Sequence, residues 1–329
     1  MDSNAIRDST ILVTGGAGFI GSHLVEALSP HNEVRVLDDF TTGDRAYLPD
    51  DVTVIKGDVR DPIALQEAAR GVDVIFHHAA LVSVTQSVDD PRRSNRTNLE
   101  ASLLVLEQAR QEDARVVVAS SAAVYGHPET LPVPETAPTT PTSPYGVQKL
   151  AVDQYARLYE DLYGLETVAL RYFNVYGPRQ RGPYSGVIST FLEQARANEP
   201  ITVEGDGRQS RDFVHVSDVV RANLRAATTD AVGEAYNIGT GQRTTILDLA
   251  ETIRTITGSD STIVHREPRT SDIRHSGADT SKTTRQLGFD ATVGIESGIR
   301  SLVGHDRSDP ADAETATALE PNRSDGSYR

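Results

Sequence analysis

Two side chains that could perform acid–base chemistry stand four residues apart in the segment SPYGVQK, residues 143–149. Positions i and i+4 of a helix share a face, so Tyr145 and Lys149 would point the same way. An ammonium beside a phenol favours the phenolate and lowers the tyrosine pKa from about 10, which makes tyrosine a usable general base. The chain has only three lysines, Lys56, Lys149 and Lys282, and the broader fork of arginine does not replace this compact donor. The alternative interpretation is a surface pair without a role.

A second chemical feature is the segment TGGAGFIG, which spaces Gly15, Gly18 and Gly21 three residues apart. Glycines at this spacing let the backbone turn tightly and approach a pyrophosphate, which then lies on the N-terminus of the following helix. The context strengthens the pattern, because the β-branched run ILVTGG precedes it and the helical stretch GFIGSHLVEALS follows it. We therefore predict a dinucleotide site that includes these glycines together with Phe19 and Ile20.

Two aspartates follow where a dinucleotide-binding unit places its polar contacts. Asp38 lies in the run EVRVLDD, near the position that binds the adenosine ribose hydroxyls. A carboxylate there repels a 2′-phosphate, so the predicted cofactor is NAD rather than NADP, and the neighbouring Asp39 is interpreted as a solvated loop acid. Asp58, followed by Val59 in the segment GDV, could hold the adenine amino group or could form an Asx turn, and spacing alone does not decide between them.

The segment HHAA ends the next apolar run. Its small residues, Ala79 and Ala80, would let a cofactor lie close to the edge of the sheet. His77 and His78 resemble metal ligands only superficially, because adjacent residues of a strand face opposite sides. We interpret both histidines as packing residues and predict no metal site.

Two serines, Ser120 and Ser121, end the apolar run RVVVASS. In parallel sheets the carboxyl ends of the strands open on the ligand crevice. Both serines are therefore predicted to face the same space as Tyr145, where one of them could hydrogen-bond a substrate hydroxyl or ketone oxygen.

Short apolar runs alternate with helical stretches over the first third of the chain. The predicted strands are 11–16, 33–39, 52–59, 72–80 and 115–121, and the helical stretches include 62–70 and 95–110. Continuous apolar runs are typical of strands buried on both faces, and β-α-β-α order implies a parallel sheet with right-handed crossovers. The predicted fold class is α/β, a Rossmann-type doubly wound parallel sheet with a smaller mixed α/β lobe.

The chain changes character after residue 121. Residues 126–144 contain six prolines and are predicted to form a long loop. The next helix is predicted to begin with Ser143 as N-cap and Pro144 at its first position, and to end near Gly164. The predicted units are an NAD-binding domain (1–178, with parts of the later chain returning to it), a second lobe (179–303) and a polar, disordered tail (304–329).

Composition narrows the classes of partner. The chain has no cysteine and a net charge of −15, which argues against disulfides, nucleic acid and anionic membranes. No apolar run has the length of a membrane span and no signal peptide is recognised, so a cytoplasmic location is predicted. Scarce lysine with strong acidity suggests a salt-rich cytoplasm, where a Debye length of about 3 Å at molar salt screens carboxylate repulsion. Genomic base composition is the alternative explanation.

Five segments, TGGAGFIG, SSAAVYG, SPYGVQK, RYFNVYGP and SRDFVHVSD, together resemble the extended short-chain dehydrogenase/reductases. They are most similar to the NAD-dependent UDP-glucose/UDP-N-acetylglucosamine 4-epimerases. The resemblance implies that Tyr145, Lys149 and Ser121 are catalytic. The residues that it implies as contacts of the UDP-sugar are Asn174, Arg211, Arg269, Asp272 and Ser276.

The same resemblance makes Ser276 the gate beside the C2 substituent of the sugar, and a small residue there is similar to enzymes that accept N-acetylated sugars. Ala122 and Ala123 stand where dehydratase relatives carry an Asp-Glu pair and where decarboxylase relatives usually carry Glu at the second position. Without these carboxyls, elimination of water lacks its acid and base. The implied reaction is epimerisation of a UDP-hexose at C4 through a 4-keto intermediate, with Tyr145 as base and Lys149 anchoring the nicotinamide ribose.

Alternatives stay open within the resemblance. One is another NAD-dependent nucleotide-sugar enzyme, such as a UDP-glucuronate epimerase, a dehydratase or a reductase. Another is a catalytically silent NAD-binding regulator, against which the intact Tyr145, Lys149 and Ser121 argue. The resemblance also implies a homodimer that pairs through the helices predicted over residues 95–110 and 144–163.

Overall fold

The computed structural model describes residues 6–180, 186–268 and 273–305, with the backbone alone for residue 305. Arg269, Asp272 and the predicted tail beyond residue 305 lie outside the described residues. The strands of the described part are β1 (Thr10–Thr14), β2 (Glu33–Asp38), β3 (Thr53–Lys56), β4 (Val74–His77), β5 (Arg115–Ser121), β6 (Thr167–Tyr172), β7 (Asn174–Tyr176), β8 (Ile201–Glu204), β9 (Ser210–Arg211), β10 (Phe213–His215), β11 (Glu234–Ile238), β12 (Thr244–Thr245) and β13 (Ile263–Arg266).

The helices of the described residues include one interrupted stretch. They are α1 (Phe19–Leu28), α2 (Pro62–Ala69), α3 (Val84–Asp89), α4 (Pro91–Asn95), α5 (Ala101–Glu112), α6 (Pro144–Tyr163), α7 (Val187–Arg196), α8 (Val216–Ala226), α9 (Ile246–Thr257), α10 (Ser281–Leu287) and α11 (Ile295–His305). A π-helical turn, Arg96–Glu100, joins α4 to α5. The helix predicted over 95–110 therefore begins earlier and carries a π turn, a feature often found at functional sites.

Seven parallel strands form the central sheet in the order β11-β6-β5-β4-β1-β2-β3. The order reverses between β1 and β4, which is the topological switch point where such sheets bind ligands. The predicted α/β, doubly wound fold class is confirmed.

Helices cover both faces of this sheet. On one face, Leu24 of α1 and Val219 of α8 pack in one apolar cluster with Val13 of β1. On the other face, Leu65 of α2 and Val152 of α6 pack with the strands in a second cluster that also includes α5. Both faces of the strands are thus buried, which explains their continuous apolar runs.

The helix that carries Tyr145 and Lys149 begins and ends as predicted. The Ser143 side chain accepts a hydrogen bond from the backbone N–H of Gly146, Pro144 occupies the first turn, and Gly164 ends the helix in a left-handed conformation (φ 67°). These local signals set the bounds of α6 and so place Tyr145 in its first turn.

The second half of the chain is shared between two regions. Elements α7, α9, α11 and β8 enclose a separate apolar core around Phe191, Leu249 and Ile299. In contrast, β11 extends the central sheet beside β6, and α8 packs on that sheet. The exact boundary of the predicted lobe stays a prediction. No helix of the described part is long and apolar enough to cross a membrane.

Candidate active site

The glycine turn lies at the switch point, directly after β1. Gly15 has φ +68°, and a β-carbon there would approach the backbone nitrogen of Ala79 to 2.6 Å. A β-carbon on Gly21 would overlap the carbonyl oxygen of Gly15. Gly18 is the N-cap of α1, and no side chain of the described residues caps this helix. The first N–H groups of α1 are therefore available to an anion, so this cradle fits the pyrophosphate of a dinucleotide.

Phe19 and Ile20 are the first two residues of α1, and both are half-buried beside this cradle. Ala79 and Ala80 follow β4 and are also half-buried. The structure therefore brings both predicted pairs to the edge of the sheet that carries the glycine turn.

Asp38 ends β2 and joins that strand to the glycine turn. Its Oδ2 accepts a hydrogen bond from the N–H of Ala17 (2.9 Å), and its Oδ1 accepts one from the N–H of Phe40 (2.8 Å). Burial raises the pKa of Asp38, and the two backbone hydrogen bonds oppose that rise. A carboxylate accepts about four hydrogen bonds, so capacity remains for the ribose contact, which stays a prediction.

Asp58 adopts the Asx turn that was one of its two interpretations. Its Oδ1 accepts a hydrogen bond from the N–H of Arg60 at 2.8 Å, and its carboxylate forms an ion pair with the Arg60 guanidinium. Hydrogen bonding to Arg60 lowers the pKa of Asp58. Val59 is buried beside it. The contact with the adenine amino group stays a prediction.

The two histidines serve packing, as predicted. His77 Nδ1 lies 2.7 Å from Thr14 Oγ1, and its Nε2 lies 2.8 Å from Ser102 Oγ. His78 Nε2 lies 3.2 Å from Asn223 Oδ1, and its ring stacks on Tyr172. Burial lowers the pKa of His77 to about 3 and that of His78 to about 4, so both are neutral at physiological pH. Across residues 6–180, 186–268 and 273–305, no group of His, Asp and Glu side chains could hold a metal ion.

Tyr145, Ser121 and Lys149 meet above the carboxyl end of β5. The Tyr145 side chain lies close enough to Ser121 for the serine hydroxyl to lower the Tyr145 pKa. Ser121 Oγ accepts a hydrogen bond from the N–H of Ala123 (3.2 Å). That backbone donor leaves the Ser121 hydrogen free to point at Tyr145. Lys149 Nζ donates to the carbonyl oxygen of Ala119 at 2.7 Å and lies 5.9 Å from the centre of the Tyr145 ring.

The protonation expected for this pair needs correction. The sequence predicts that Lys149 lowers the pKa of Tyr145, but burial raises that pKa, and the neighbouring Ser121 hydroxyl opposes the rise. Burial also lowers the pKa of Lys149, to about 8. Both groups lie in a poorly solvated site that penalises charge. Their shared face of α6 is as predicted, whereas the resting tyrosine is neutral.

Sequence reasoning missed the side chains that seat this helix. Ser87 Oγ of α3 accepts the backbone N–H of Tyr145 at 3.1 Å. Asp153, eight residues after Tyr145 and fully buried, pairs with Arg171 Nε at 2.8 Å and accepts a hydrogen bond from Ser120 Oγ at 3.2 Å. Arg171 stands inside the apolar strand TVALRY, and a buried charge of this kind indicates a buried partner of opposite charge. The sequence around Ser87 contains no comparable signal.

Three of the five predicted substrate contacts lie together in the second half of the chain. Asn174 donates its Nδ2–H to the carbonyl oxygen of Asp212 (3.1 Å). Arg211 Nη1 donates to the carbonyl oxygen of Ser210 (2.9 Å). The N–H of Ser276 donates to that same carbonyl oxygen of Ser210 at 3.0 Å. The segment around Ser210–Asp212 thus brings all three residues to one place.

Asp212 holds this segment together, and sequence reasoning did not single it out. Its buried carboxylate accepts hydrogen bonds from the N–H and Oγ1–H of Thr240 and from the N–H groups of Gly241 and Ala278. Burial raises the pKa of Asp212, and these four donors oppose that rise. A buried carboxylate with four donors ties together three separate parts of the chain.

The glycine turn at the switch point and the Tyr-Lys-Ser set beside it define a dinucleotide-dependent enzyme of short-chain dehydrogenase/reductase architecture. A model of the NAD dependent epimerase/dehydratase family matches residues 11–239, and the chain belongs to that family. The family predicted from the motifs is confirmed.

Several proteins that are similar to this chain are named as 4-epimerases of UDP-sugars. The chain is 36% identical to the UDP-glucose 4-epimerase of Mycolicibacterium smegmatis over 303 residues, 89% of this chain and 96% of that protein. The UDP-N-acetylglucosamine 4-epimerase of Methanobrevibacter ruminantium, solved in complex with UDP-N-acetylmuramic acid, is 37% identical with a TM-score of 0.89, over 92% of this chain and 99% of that one. The UDP-glucose 4-epimerase of Thermus thermophilus, solved with NAD, is 37% identical with a TM-score of 0.84, over 91% of this chain and 99% of that one.

Proposed function

We propose that this chain is an NAD-dependent 4-epimerase of UDP-hexoses that interconverts UDP-glucose and UDP-galactose and also accepts the N-acetylated pair. The observation that carries the proposal is the position of Tyr145 and Lys149 on one face of α6 beside Ser121, at the sheet edge that holds the glycine turn. A 4-epimerase removes a proton from one secondary hydroxyl and returns it, and Tyr145 and Ser121 would form the required proton path. The similar 4-epimerases, which span nearly the whole chain, support the same reaction.

The cofactor fits the residues of the switch point. The glycine turn and the N-terminus of α1 would hold the pyrophosphate, and Asp38 would accept the hydroxyls of the adenosine ribose. Oxidation of a secondary alcohol and its reversal is the chemistry that a bound nicotinamide supplies. The buried Lys149 side chain would contact the second ribose.

In this reaction Tyr145 would act first as a general base and then as a general acid, accepting and returning one proton. In the resting state burial keeps Tyr145 protonated, so it must lose its proton before it can act as base. Ser121, oriented by the N–H of Ala123, would share the proton of the sugar oxygen with Tyr145. Lys149 supplies a buried positive charge 5.9 Å from the ring centre, and that charge favours the phenolate whenever Lys149 is protonated.

Ala122 and Ala123 support epimerisation over elimination. Both follow Ser121 in the short turn Ala122–Tyr125 and are half-buried. Neither can supply the carboxyl that would protonate or deprotonate a leaving hydroxyl. This weakens the dehydratase and decarboxylase alternatives, whereas a UDP-glucuronate epimerase would use the same proton path.

The nucleotide diphosphate would lie against the second half of the chain. Arg211 is the cation of the described substrate cluster, and arginine suits phosphate because its guanidinium donates two parallel hydrogen bonds. Asn174 and Ser276 flank it through their hydrogen bonds to the Ser210–Asp212 backbone. The roles of Arg269 and Asp272 remain predictions from the resemblance.

The deciding experiment is product analysis by NMR. Purified protein in high KCl, without added NAD, is given UDP-galactose in one tube and UDP-N-acetylgalactosamine in another. Conversion of both to their C4 epimers is expected, and would show the reaction together with a retained cofactor. Failure of both conversions with NAD bound would contradict the proposal and favour uronate or other nucleotide-sugar substrates. Bound NAD without turnover of any UDP-sugar would favour the silent regulator.

The Ser276 gate has its own test. Ser276→Tyr, which places a ring beside the sugar C2 substituent, should slow conversion of the N-acetylated substrate more than that of UDP-galactose. An equal effect on both substrates would contradict the gate.

A homodimer is part of the same proposal. Val147, Leu158 and Leu162 lie on one stripe of α6, and each is 44–61% exposed. An apolar stripe of this kind on a helix marks a contact surface, and the occupant we infer is the same helix of a second copy. Light scattering should give the mass of two chains for the wild type and of one chain for Leu158→Glu; a monomeric wild type would contradict this inference.

Salt adaptation and a cytoplasmic location remain proposals. The acidic, lysine-poor composition supports an enzyme adapted to molar salt. Turnover and thermal midpoint should both rise from low to molar KCl. Full activity and stability at low ionic strength would contradict salt adaptation.

A further inference from the structure

Arg179 holds an unusual backbone conformation where the chain leaves β7 for the second half of the molecule. Its φ is +67°, in the left-handed region that residues with a β-carbon rarely adopt. Such a conformation persists only where the surroundings hold it, and it recurs at clamps and functional sites. The contacts that hold Arg179 therefore indicate what it does.

The guanidinium of Arg179 joins two separate elements. Its Nη2 forms an ion pair with Glu26 Oε2 of α1 at 2.8 Å, and its Nη1 donates to Ser22 Oγ of α1 at 3.3 Å. Its Cζ lies 5.4 Å from the centre of the Tyr47 ring, in the turn after β2. We call these four residues the Arg179 clasp.

The clasp is reinforced by its neighbours in the chain. His23 Nε2 of α1 lies 3.0 Å from the carbonyl oxygen of Pro178. Both residues of the Pro178–Arg179 segment therefore contact α1, one through its backbone and one through its side chain.

The clasp is also linked to the glycine turn. The turn that ends in Tyr47 packs on Ala17 of the glycine turn, because the N–H of Asp44 donates to the Ala17 carbonyl oxygen at 3.0 Å. Arg179 thus connects α1, whose N-terminus forms the dinucleotide cradle, with the turn that contacts Ala17 of the glycine turn. Loss of this connection would leave the two parts of the cradle freer to move apart, which would ease release of a bound adenosine diphosphate moiety.

We propose that Arg179 is a positioning residue for the cofactor, and that its clasp on Ser22, Glu26 and Tyr47 controls the rate at which NAD leaves. This rests on the proposed function: an epimerase that oxidises and re-reduces the same carbon gains nothing from cofactor exchange, and loss of reduced cofactor in mid-cycle would strand a keto sugar.

The test measures release of NAD from full-length protein purified with its cofactor. Released NAD is trapped by an alcohol dehydrogenase with excess ethanol, and NADH absorbance reports the rate. Arg179→Gln should release NAD about tenfold faster than the wild type, equivalent to about 1.4 kcal/mol in the barrier. NAD should also raise its thermal midpoint by less than it raises that of the wild type.

Arg179→Gly separates retention from folding. Glycine adopts a positive φ without strain, and this gain offsets the loss of the partly exposed ion pair with Glu26. The NAD-free variant should therefore melt close to the wild-type midpoint, while NAD release still accelerates. A loss of retention without a loss of stability is not expected from a merely structural residue.

Arg35 offers a matched control at the opposite end of β2. It pairs with Glu33 at 2.8 Å, and its side chain is 21% exposed against 23% for Arg179, with partners 58% exposed in both pairs. Arg35→Gln should leave NAD release unchanged. The inference is overturned if both Arg179 variants release NAD within twofold of the wild-type rate, or if Arg35→Gln accelerates release equally. A wild type that holds no NAD would instead overturn the proposed function, and the clasp with it.

Discussion

The Lys149 ammonium donates its hydrogen bond to the Ala119 carbonyl oxygen at 2.7 Å and lies 5.9 Å from the centre of the Tyr145 ring. Lys149 is buried and Tyr145 is half-buried, and loss of solvation shifts the pKa of each toward its neutral form. The pair therefore rests with the proton on Tyr145. A positive charge next to Tyr145, which the nicotinamide of a bound NAD would supply, would favour the phenolate in addition to the charge of Lys149.

Removal of the Tyr145 hydroxyl should stop catalysis and spare the cofactor. Tyr145→Phe eliminates the group that transfers the proton, and loss of a general base lowers turnover by roughly 10²–10⁴-fold. The ring and the glycine turn remain, so bound NAD should be retained. The measurement is the rate of UDP-galactose conversion by NMR with NAD content from the same sample.

Tyr155→Phe is the control for that variant. Tyr155 lies on the same helix and is 37% exposed, so its hydroxyl should be dispensable. Turnover of Tyr145→Phe close to that of Tyr155→Phe would remove Tyr145 from the mechanism.

The buried Lys149 should give stability a measurable pH dependence. Its pKa is about 8 in the folded protein against 10.5 ordinarily, so between these values the unfolded chain binds more protons than the folded one. Stability conferred by this position therefore rises with pH over that window. The free energy of unfolding of the wild type, relative to Lys149→Met, should rise by roughly 3 kcal/mol from pH 8 to 10.5, at 1.36 kcal/mol per pKa unit. Urea titrations of both proteins at several pH values measure this difference in unfolding free energy. A difference that does not change with pH would contradict the lowered pKa of Lys149.

Local signals in the sequence predicted the elements that position the site. The Ser143 cap, the first-turn Pro144 and the terminal Gly164 each act within a few residues, so the bounds of α6 and the common face of Tyr145 and Lys149 followed from short spacings. The glycine turn was predictable for the same reason. Apolar periodicity gave the parallel sheet, because continuous apolar runs require burial on both faces.

Contacts between distant segments could not be predicted in this way. The resting protonation of Tyr145 depends on burial by other segments and on Ser121, so spacing to Lys149 gave the wrong direction of its pKa shift. Arg179 and Glu26 are separated by 153 residues in the chain. No pattern in the sequence around either residue indicates that the two form an ion pair. Asp58 lies between these two cases. Its position at the end of a strand predicted either an Asx turn or a contact with adenine, and the structure shows the Asx turn.

Arg211 should contribute to binding more than to chemistry. Its guanidinium would form charge-assisted hydrogen bonds with the diphosphate, each worth about 1.5–3 kcal/mol. Arg211→Gln should therefore raise the KM for UDP-galactose by about tenfold to a hundredfold and change kcat much less, since the diphosphate does not react. Steady-state kinetics and calorimetry with UDP measure both quantities.

Arg208 is the control for Arg211. It is exposed three residues earlier, and Arg208→Gln should leave KM within about twofold of the wild type, because a single exposed charge contributes little. Equal changes in KM for the two variants would show a general loss of positive charge rather than a diphosphate contact.

The glycine turn permits a test of close approach independent of backbone strain. Gly15 and Gly71 have φ of +68° and +64°, so alanine at either adopts a left-handed conformation that costs about 1–2 kcal/mol. A β-carbon on Gly71 meets nothing within 4 Å, whereas one on Gly15 would lie 2.6 Å from the backbone nitrogen of Ala79. Gly71→Ala should lose only that stability and keep its NAD. Gly15→Ala should be less stable than Gly71→Ala and be purified without NAD, because relief of the overlap separates β1 from β4 at the cradle. Equal stability and equal NAD content in the two variants would show that the turn tolerates a side chain, and would remove the pyrophosphate cradle from the site.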